Sequence, residues 1–290
     1  MTDIGIQRMC IIGVGLIGGS LALAARNAGY CADIIGAGRN ENNLRKAKEL
    51  GAIDEYTTDL KKAVSGADVV VLAVPIGQMS AVMADIKDSL KKDCIVTDVG
   101  SSKRAIIAMA KDIFADNFKH FVPGHPIAGT ERSGAEAMLA ELFDGRRVIL
   151  TPVSETDPGA LEKIRLLWQQ LKAHVVVMDA EHHDEVLAAT SHLPHLLAYS
   201  LVDSLASLHE KSEIFEYAAG GFRDFTRIAS SNPQMWHDIC MSNRDAILKM
   251  LSLFQQDLAR LGDAIRDDDG DAVKEIFDRA KAARDQFCGD

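Results

Sequence analysis

A short apolar run, Met9 to Ile12, passes directly into Gly13-Val14-Gly15-Leu16-Ile17-Gly18 and then into the helix-forming stretch Ser20 to Asn27. In a strand–loop–helix setting the first glycine permits a tight turn. The second lets backbone approach a pyrophosphate, and the third allows the helix to pack closely on the strand. Free N–H groups at the helix start, reinforced by the macrodipole, favour an anion there. Glycine-rich turns are common, so the spacing alone is weak. The apolar run before it and the helix after it supply the context that a dinucleotide cradle requires. The sequence therefore predicts NAD or NADP held at Gly13, Gly15 and Gly18, with Leu16, Ile17 and the strand-ending Val74 beside them.

The pattern continues as alternating strands and helices. Asp33 to Gly36 reads as a second strand, Asn40 to Leu50 as a polar helix, and Val69 to Val74 as a β-branched run closed by Pro75. A run of that kind fits a parallel strand covered on both faces. A helix from about Gln78 to Leu90, a strand Cys94 to Asp98 and a helix near Ser102 to Phe114 follow. Strands at His120 to Val122 and Val148 to Leu150 come next, then a last α/β unit through Trp168 to Val177. This order predicts an α/β domain over residues 1–178, a Rossmann-type doubly wound parallel sheet. From Asp179 the apolar residues take helical spacing, as in Val186, Thr190, Leu193, Leu197, Leu201, Leu205 and Leu208. Trp236, Ile239, Asn243, Ile247, Met250 and Phe254 repeat it, which predicts one long helix from about Gln234 to Arg266. Residues 179–290 thus read as an all-helical second domain. A stripe that long needs more partner surface than a small domain supplies, so a homodimer is expected.

The formal charge of the 290-residue chain is -10 with no basic run, which argues against nucleic acid or anionic membrane as partner. The five cysteines show no C-x-x-C spacing and read as reduced thiols of a cytoplasmic protein. Met1 to Gln7 lacks the make-up of a signal peptide, and no apolar run is long enough to span a bilayer.

An NAD-selective site wants an acid about 20 residues past the glycine loop. Here that place holds Gly36-Ala37-Gly38-Arg39-Asn40, with no acid. Arg39 would pair with the 2′-phosphate of NADP, or else stack on adenine or stay solvated. Three later stretches carry more chemistry than folding needs. In Asp98-Val99-Gly100-Ser101-Ser102-Lys103, Ser102 reads as a helix N-cap and Ser101 is free to face a cleft. In Gly124-His125-Pro126-Ile127-Ala128-Gly129-Thr130-Glu131, a histidine fixed between glycine and proline titrates in the range suited to taking a proton from an alcohol. In Gly220-Gly221-Phe222-Arg223-Asp224-Phe225-Thr226-Arg227, two glycines and two arginines read as a loop approaching a carboxylate. Each stretch alone is also compatible with an ordinary loop.

Together with Ser191-His192-Leu193-Pro194-His195, these strings make the chain resemble the prephenate/arogenate dehydrogenase family over nearly its whole length. The resemblance implies oxidative decarboxylation of prephenate or arogenate with hydride transfer to NAD(P), giving 4-hydroxyphenylpyruvate or tyrosine. It implies that His125 accepts the proton of the substrate hydroxyl and that Ser101 orients both. Arg227 would bind a carboxylate, His195 would line the pocket near the side chain, and Thr130 would join the substrate-binding set. Tyrosine would inhibit by competing at His195 and Arg227. No fused mutase domain ahead of Met9 and no regulatory domain after Phe287 is expected. A metal at His192 and His195 is not expected, because no Cys or carboxylate stands beside them and Pro194 kinks the turn; His182 and His183 read as solvated. Two other readings are a β-hydroxyacid dehydrogenase-like enzyme with a helical-domain lysine such as Lys211, and a nucleotide-binding redox sensor without turnover.

Overall fold

Alternation within two central strands divides the sheet into two faces. The computed structural model describes residues 5–130, 132–208 and 211–287, apart from the side chains of Lys211, Ser212 and Ile214. The lysine-acid reading of Lys211 and the residue Glu131 therefore lie outside what is described. Strands β1 (Ile6–Ile12), β2 (Cys31–Ala37), β3 (Glu55–Thr57), β4 (Val69–Leu72), β5 (Ile95–Asp98) and β6 (Phe121–Val122) form one parallel sheet in the order β3-β2-β1-β4-β5-β6. Met9, Ile11, Val69 and Val71 enter one core with Leu21, Ala22 and Ala25 of the helix Leu16–Asn27. Their neighbours Cys10, Ile12, Val70 and Leu72 enter a second core with Met79 and Met83 of the helix Ile76–Ile86 and Ile106 of the helix Arg104–Phe114. Side chains point alternately to opposite faces of a strand, so a wholly apolar run requires cover on both. The sheet is doubly wound, as the sequence predicts. The chain reverses direction across the sheet between β1 and β4, and ligands of such sheets bind outside the carboxyl ends at that point.

Strands after β6 depart from the expected single sheet. β7 (Gly124–Pro126), β8 (Arg147–Leu150) and β9 (His174–Val177) form a separate three-stranded sheet in which β7 and β8 run antiparallel. Pro123 separates β6 from β7; it has no N–H for a ladder, and its carbonyl accepts instead from Thr151 N at 3.0 Å. The strand that carries His125 is thereby turned out of the main sheet.

All described elements beyond residue 178 are helical. The chain divides into two compact units, Met1–Arg244 and Asp245–Asp290. The first includes the helices Ala180–Leu187, Leu193–Ala206, Gly220–Thr226 and Pro233–Ser242. A π-helical turn, Ala188–His192, precedes Pro194, so the expected kink takes the form of a widened turn. The expected single helix from Gln234 to Arg266 is instead two, Pro233–Ser242 and Arg244–Arg266, because Asn243 leaves helical geometry at φ -114°, ψ 32°. The predicted loop at Gly220 is a helix, with both glycines in its first turn and Thr226 Oγ1 donating to Phe222 O at 2.7 Å. In the second unit, a turn with Asp268 at φ 56° separates the helix ending at Arg266 from Gly270–Phe287, and Leu248, Leu253, Leu258, Ile265 and Phe277 are exposed. Among the described residues no helix is long and apolar enough to cross a membrane.

Candidate active site

Each loop glycine meets a different demand. Gly13 has φ +100°, and a Cβ on it would stand 2.3 Å from Ala73 O and 3.1 Å from Val74 Cγ1. A side chain on Gly18 would meet Gly13 O at 2.3 Å. Gly15, in contrast, has nothing within 4 Å of its Cβ position. It is the N-cap of the helix Leu16–Asn27, with no side-chain cap and no acid in the first turn. Backbone amides without a cap, facing open space at a helix N-terminus, suit the diphosphate of a dinucleotide. Arg39 is exposed just past β2, next to Asn40, whose side chain caps the helix Glu41–Glu49 through Asn43 N.

Past the ends of β5 and β6 lies a buried ionic cluster. Lys103 Nζ is fully buried and donates to Asp98 Oδ2 at 2.5 Å and to Gly124 O at 2.6 Å. Asp98 Oδ1 in turn accepts from Gly124 N at 3.2 Å. The pair thus grips the peptide groups on both sides of Gly124, immediately ahead of His125. Burial pulls the Lys103 ammonium down, while Asp98 and Asp184 oppose that shift. Asp184 accepts from the backbone N–H groups of Lys103 and Arg104 at 2.7 and 3.0 Å. It, not Ser102, therefore caps the helix Arg104–Phe114. Ser102 Oγ instead donates to Ser242 Oγ at 2.8 Å.

His125 is buried in β7, with Nδ1 2.9 Å from His183 Nε2. His183 is also buried, contrary to its expected solvation, and its Nδ1 lies 2.8 Å from Asp184 Oδ1. His183, Asp184 and Leu187 are the buried face of the helix Ala180–Leu187, whereas His182 is exposed. Burial holds His125 well below the ordinary imidazole range, helped by His183, Lys103 and His192. The imidazole is therefore neutral at neutral pH, with one ring nitrogen left as an acceptor.

A second group continues from the first through Asn243, whose side-chain amide donates to Asp184 O at 2.8 Å and to His192 Nδ1 at 3.0 Å. Burial pushes His192 down to about 4, and the Ser101 main chain adjoins it. Trp236 lies edge-on to His192 and stacks on His195 with ring centroids 3.7 Å apart. His195 Nδ1 donates to Ser191 O at 2.8 Å. Burial lowers its pKa, and the Arg227 guanidinium lowers it further, which places that arginine within electrostatic reach. Arg227 itself is exposed, at the start of the 3-10 turn Arg227–Ser230.

Of the expected site residues, His125 and Ser101 flank the ionic cluster, and His195 and Arg227 share the tryptophan group. Thr130 is exposed on the loop after β7, where its hydroxyl accepts from Arg132 N at 3.2 Å. Gly13, Gly15, Leu16, Ile17, Gly18 and Val74 lie together at the carboxyl edge of β1 and β4. Residue types alone missed His183, Asp184, Lys103 and Asn243. No local signal marked them: the burial of His183, Asp184 and Leu187 on one helix face is visible only in the folded chain.

Known proteins are similar to this chain in sequence and fold. The nucleotide-binding domain model of prephenate dehydrogenase matches residues 21–177, and the dimerization domain model of the same enzyme matches residues 179–279. A cyclohexadienyl dehydrogenase from Zymomonas mobilis is 41% identical over 282 residues, 96% of this chain and 95% of its own. A crystal structure of prephenate dehydrogenase from Aquifex aeolicus, in complex with hydroxyphenyl propionate and NAD+, is similar at TM-score 0.91 and 36% identity over 97% of this chain and 98% of its own. That of the Synechocystis arogenate dehydrogenase is similar at TM-score 0.81 and 29% identity, over 97% and 100%. With fold, length and both halves matched, the chain belongs to the prephenate dehydrogenase family.

Proposed function

We propose that this oxidoreductase carries out the NAD(P)-dependent oxidative decarboxylation of prephenate, arogenate or both, with His125 as the base. The observation that carries the assignment of the base is a neutral, buried imidazole on a backbone gripped from both sides by Asp98 and Lys103. Bound at the glycine loop, the nicotinamide would supply the hydride acceptor. His125 takes the hydroxyl proton as the carbon that bears it is oxidised, and Ser101 orients hydroxyl and imidazole. Arg227 binds a substrate carboxylate, and Thr130 and His195 bound the pocket. Loss of carbon dioxide makes the ring aromatic and drives the reaction, so these residues need mainly to align the reacting atoms. The Aquifex enzyme, in complex with hydroxyphenyl propionate and NAD+, supports a site that takes both a phenolic carboxylate and the dinucleotide.

Arg39 would receive the 2′-phosphate of NADP, so that NADP is accepted beside NAD. The absence of an acid at the end of β2 supports this. Residues 179–290 would form the substrate and dimerisation domain of a cytoplasmic homodimer. The meeting of the two family matches at 177 and 179 supports that boundary, although the compact units divide later. The later division follows from Trp236 and Ile239, which join the second core of the sheet. Tyrosine would compete with substrate at His195 and Arg227.

Nicotinamide absorbance, followed with prephenate and arogenate against NAD+ and NADP+, tests the reading. Substrate-dependent reduction is expected, and His125→Asn should lower kcat by about 10²–10⁴ while leaving cofactor binding intact. No turnover with any pair, or an undiminished H125N variant, would overturn it.

A further inference from the structure

Asp184, His183 and His125 form an unbroken line of polar contacts at 2.8 and 2.9 Å. The direction of donation along it follows from the Asp184 end. Burial opposes charge on Asp184, but the bonds from His183, Arg104 N and Lys103 N hold its carboxyl below the usual range. An ionised carboxylate can only accept, so His183 Nδ1 carries a hydrogen. Burial keeps His183 neutral; Lys103 works in the same direction, against Asp184 and Asp98. A neutral imidazole with hydrogen on Nδ1 presents a lone pair on Nε2. That lone pair requires a hydrogen from His125 Nδ1, which leaves Nε2 of the neutral His125 bare.

We propose that His183 and Asp184 are positioning residues that hold His125 as the Nδ1-protonated tautomer, so that Nε2 is the atom that accepts the substrate proton. The proposal rests on the reading of His125 as the base. It also gives Asp184 two tasks at once. The carboxylate that orders the histidine pair takes the Lys103 and Arg104 amides, which begin two residues after Ser101. One carboxylate thus registers the strand bearing the base and the loop bearing Ser101. A histidine buried only to fill space would have no fixed placement of its ring hydrogen. The groups around His125 agree on its neutral state, since His183, Lys103 and His192 all disfavour an imidazolium there.

Nitrogen-15 NMR of the full-length protein labelled at histidine reads the tautomer directly, without any variant. A protonated Nδ1 on His125 is expected, and a protonated Nε2 would overturn the proposal. His183→Gln keeps an acceptor near the place of Nε2, whereas His183→Leu fills similar space with none. H183Q should stay within about tenfold of the wild-type kcat. H183L should fall by about 10² at unchanged cofactor KM, and its His125 should lose the single tautomer. H183L turning over at the wild-type rate would sink the positioning role. His125→Asn separates the two ideas. If H125N is inactive while H183L is fast, the positioning role alone fails; if H125N is fast, the base assignment fails whatever the tautomer.

Discussion

Around His125 the charged neighbours are buried and bonded to one another: Lys103 to Asp98 and Gly124, and Asp184 to His183 and two backbone amides. Around His195 the arrangement is more open. The ring is only half-buried, rests flat on Trp236, and has the exposed Arg227 nearby. The bonds of the first group are all made within the chain, as the proposed proton acceptor needs if its orientation is not to be rebuilt at every turnover. The second offers a flat aromatic surface and an exposed cation, which suit a ring and a carboxylate that must enter and leave. On the roles proposed for these residues, the contrast separates holding the chemistry from holding the molecule.

The largest expected effect tests the completeness of the first group. Lys103→Met leaves Asp98 charged and buried without its cation, a loss of about 3–5 kcal/mol. Thermal denaturation should show a Tm lower by roughly 10 °C; an unchanged Tm would mean that the group is not ordered by this pair. Next, Arg227→Ala should raise the substrate KM about 10–100-fold through the loss of a charge-assisted contact. Its Tm should stay at the wild-type value, and a fall as deep as that of K103M would erase the contrast. The remaining effect is on pH dependence. His125, His183 and His192 all have folded-state values below the ordinary 6.5. Below pH 6.5 the unfolded chain therefore binds more protons than the folded one. Stability is fully present above that pH and declines as pH falls, by at most about 1.4 kcal/mol per unit for each group. Denaturant titrations between pH 7 and pH 5 check the sign. The kcat/KM profile should likewise be level above pH 6.5, and its decline should be confined to lower pH.

Most of the first half of the fold was legible because its signals are local. The glycine loop, the β-branched run at Val69 and the acid-free end of β2 each declare themselves within a few residues. The turning away of β7 was not legible, since it depends on where the Pro123 carbonyl finds Thr151 N across the chain. Nor was the break at Asn243, which matched the helical period while its side chain answered to Asp184 and His192. His125 stood out by its setting between glycine and proline. His183 did not, because a histidine near a helix start looks solvated until its burial against His125 is known. Ser102 was misread for a related reason: a carboxylate 82 positions further on took the helix amides that a local cap would have taken.

The peptide groups flanking Gly124 are held at N–H by Asp98 and at C=O by Lys103, so the aim of the imidazole is settled when the chain folds. The entropy of ordering that backbone is then charged to folding, not to the activation step. Heat that loosens the ion pair while the parallel sheet still stands should make the base wander. Catalytic output would then decline with temperature ahead of the sheet's own melting, and the glycine loop would remain competent to hold its nucleotide after turnover had faded.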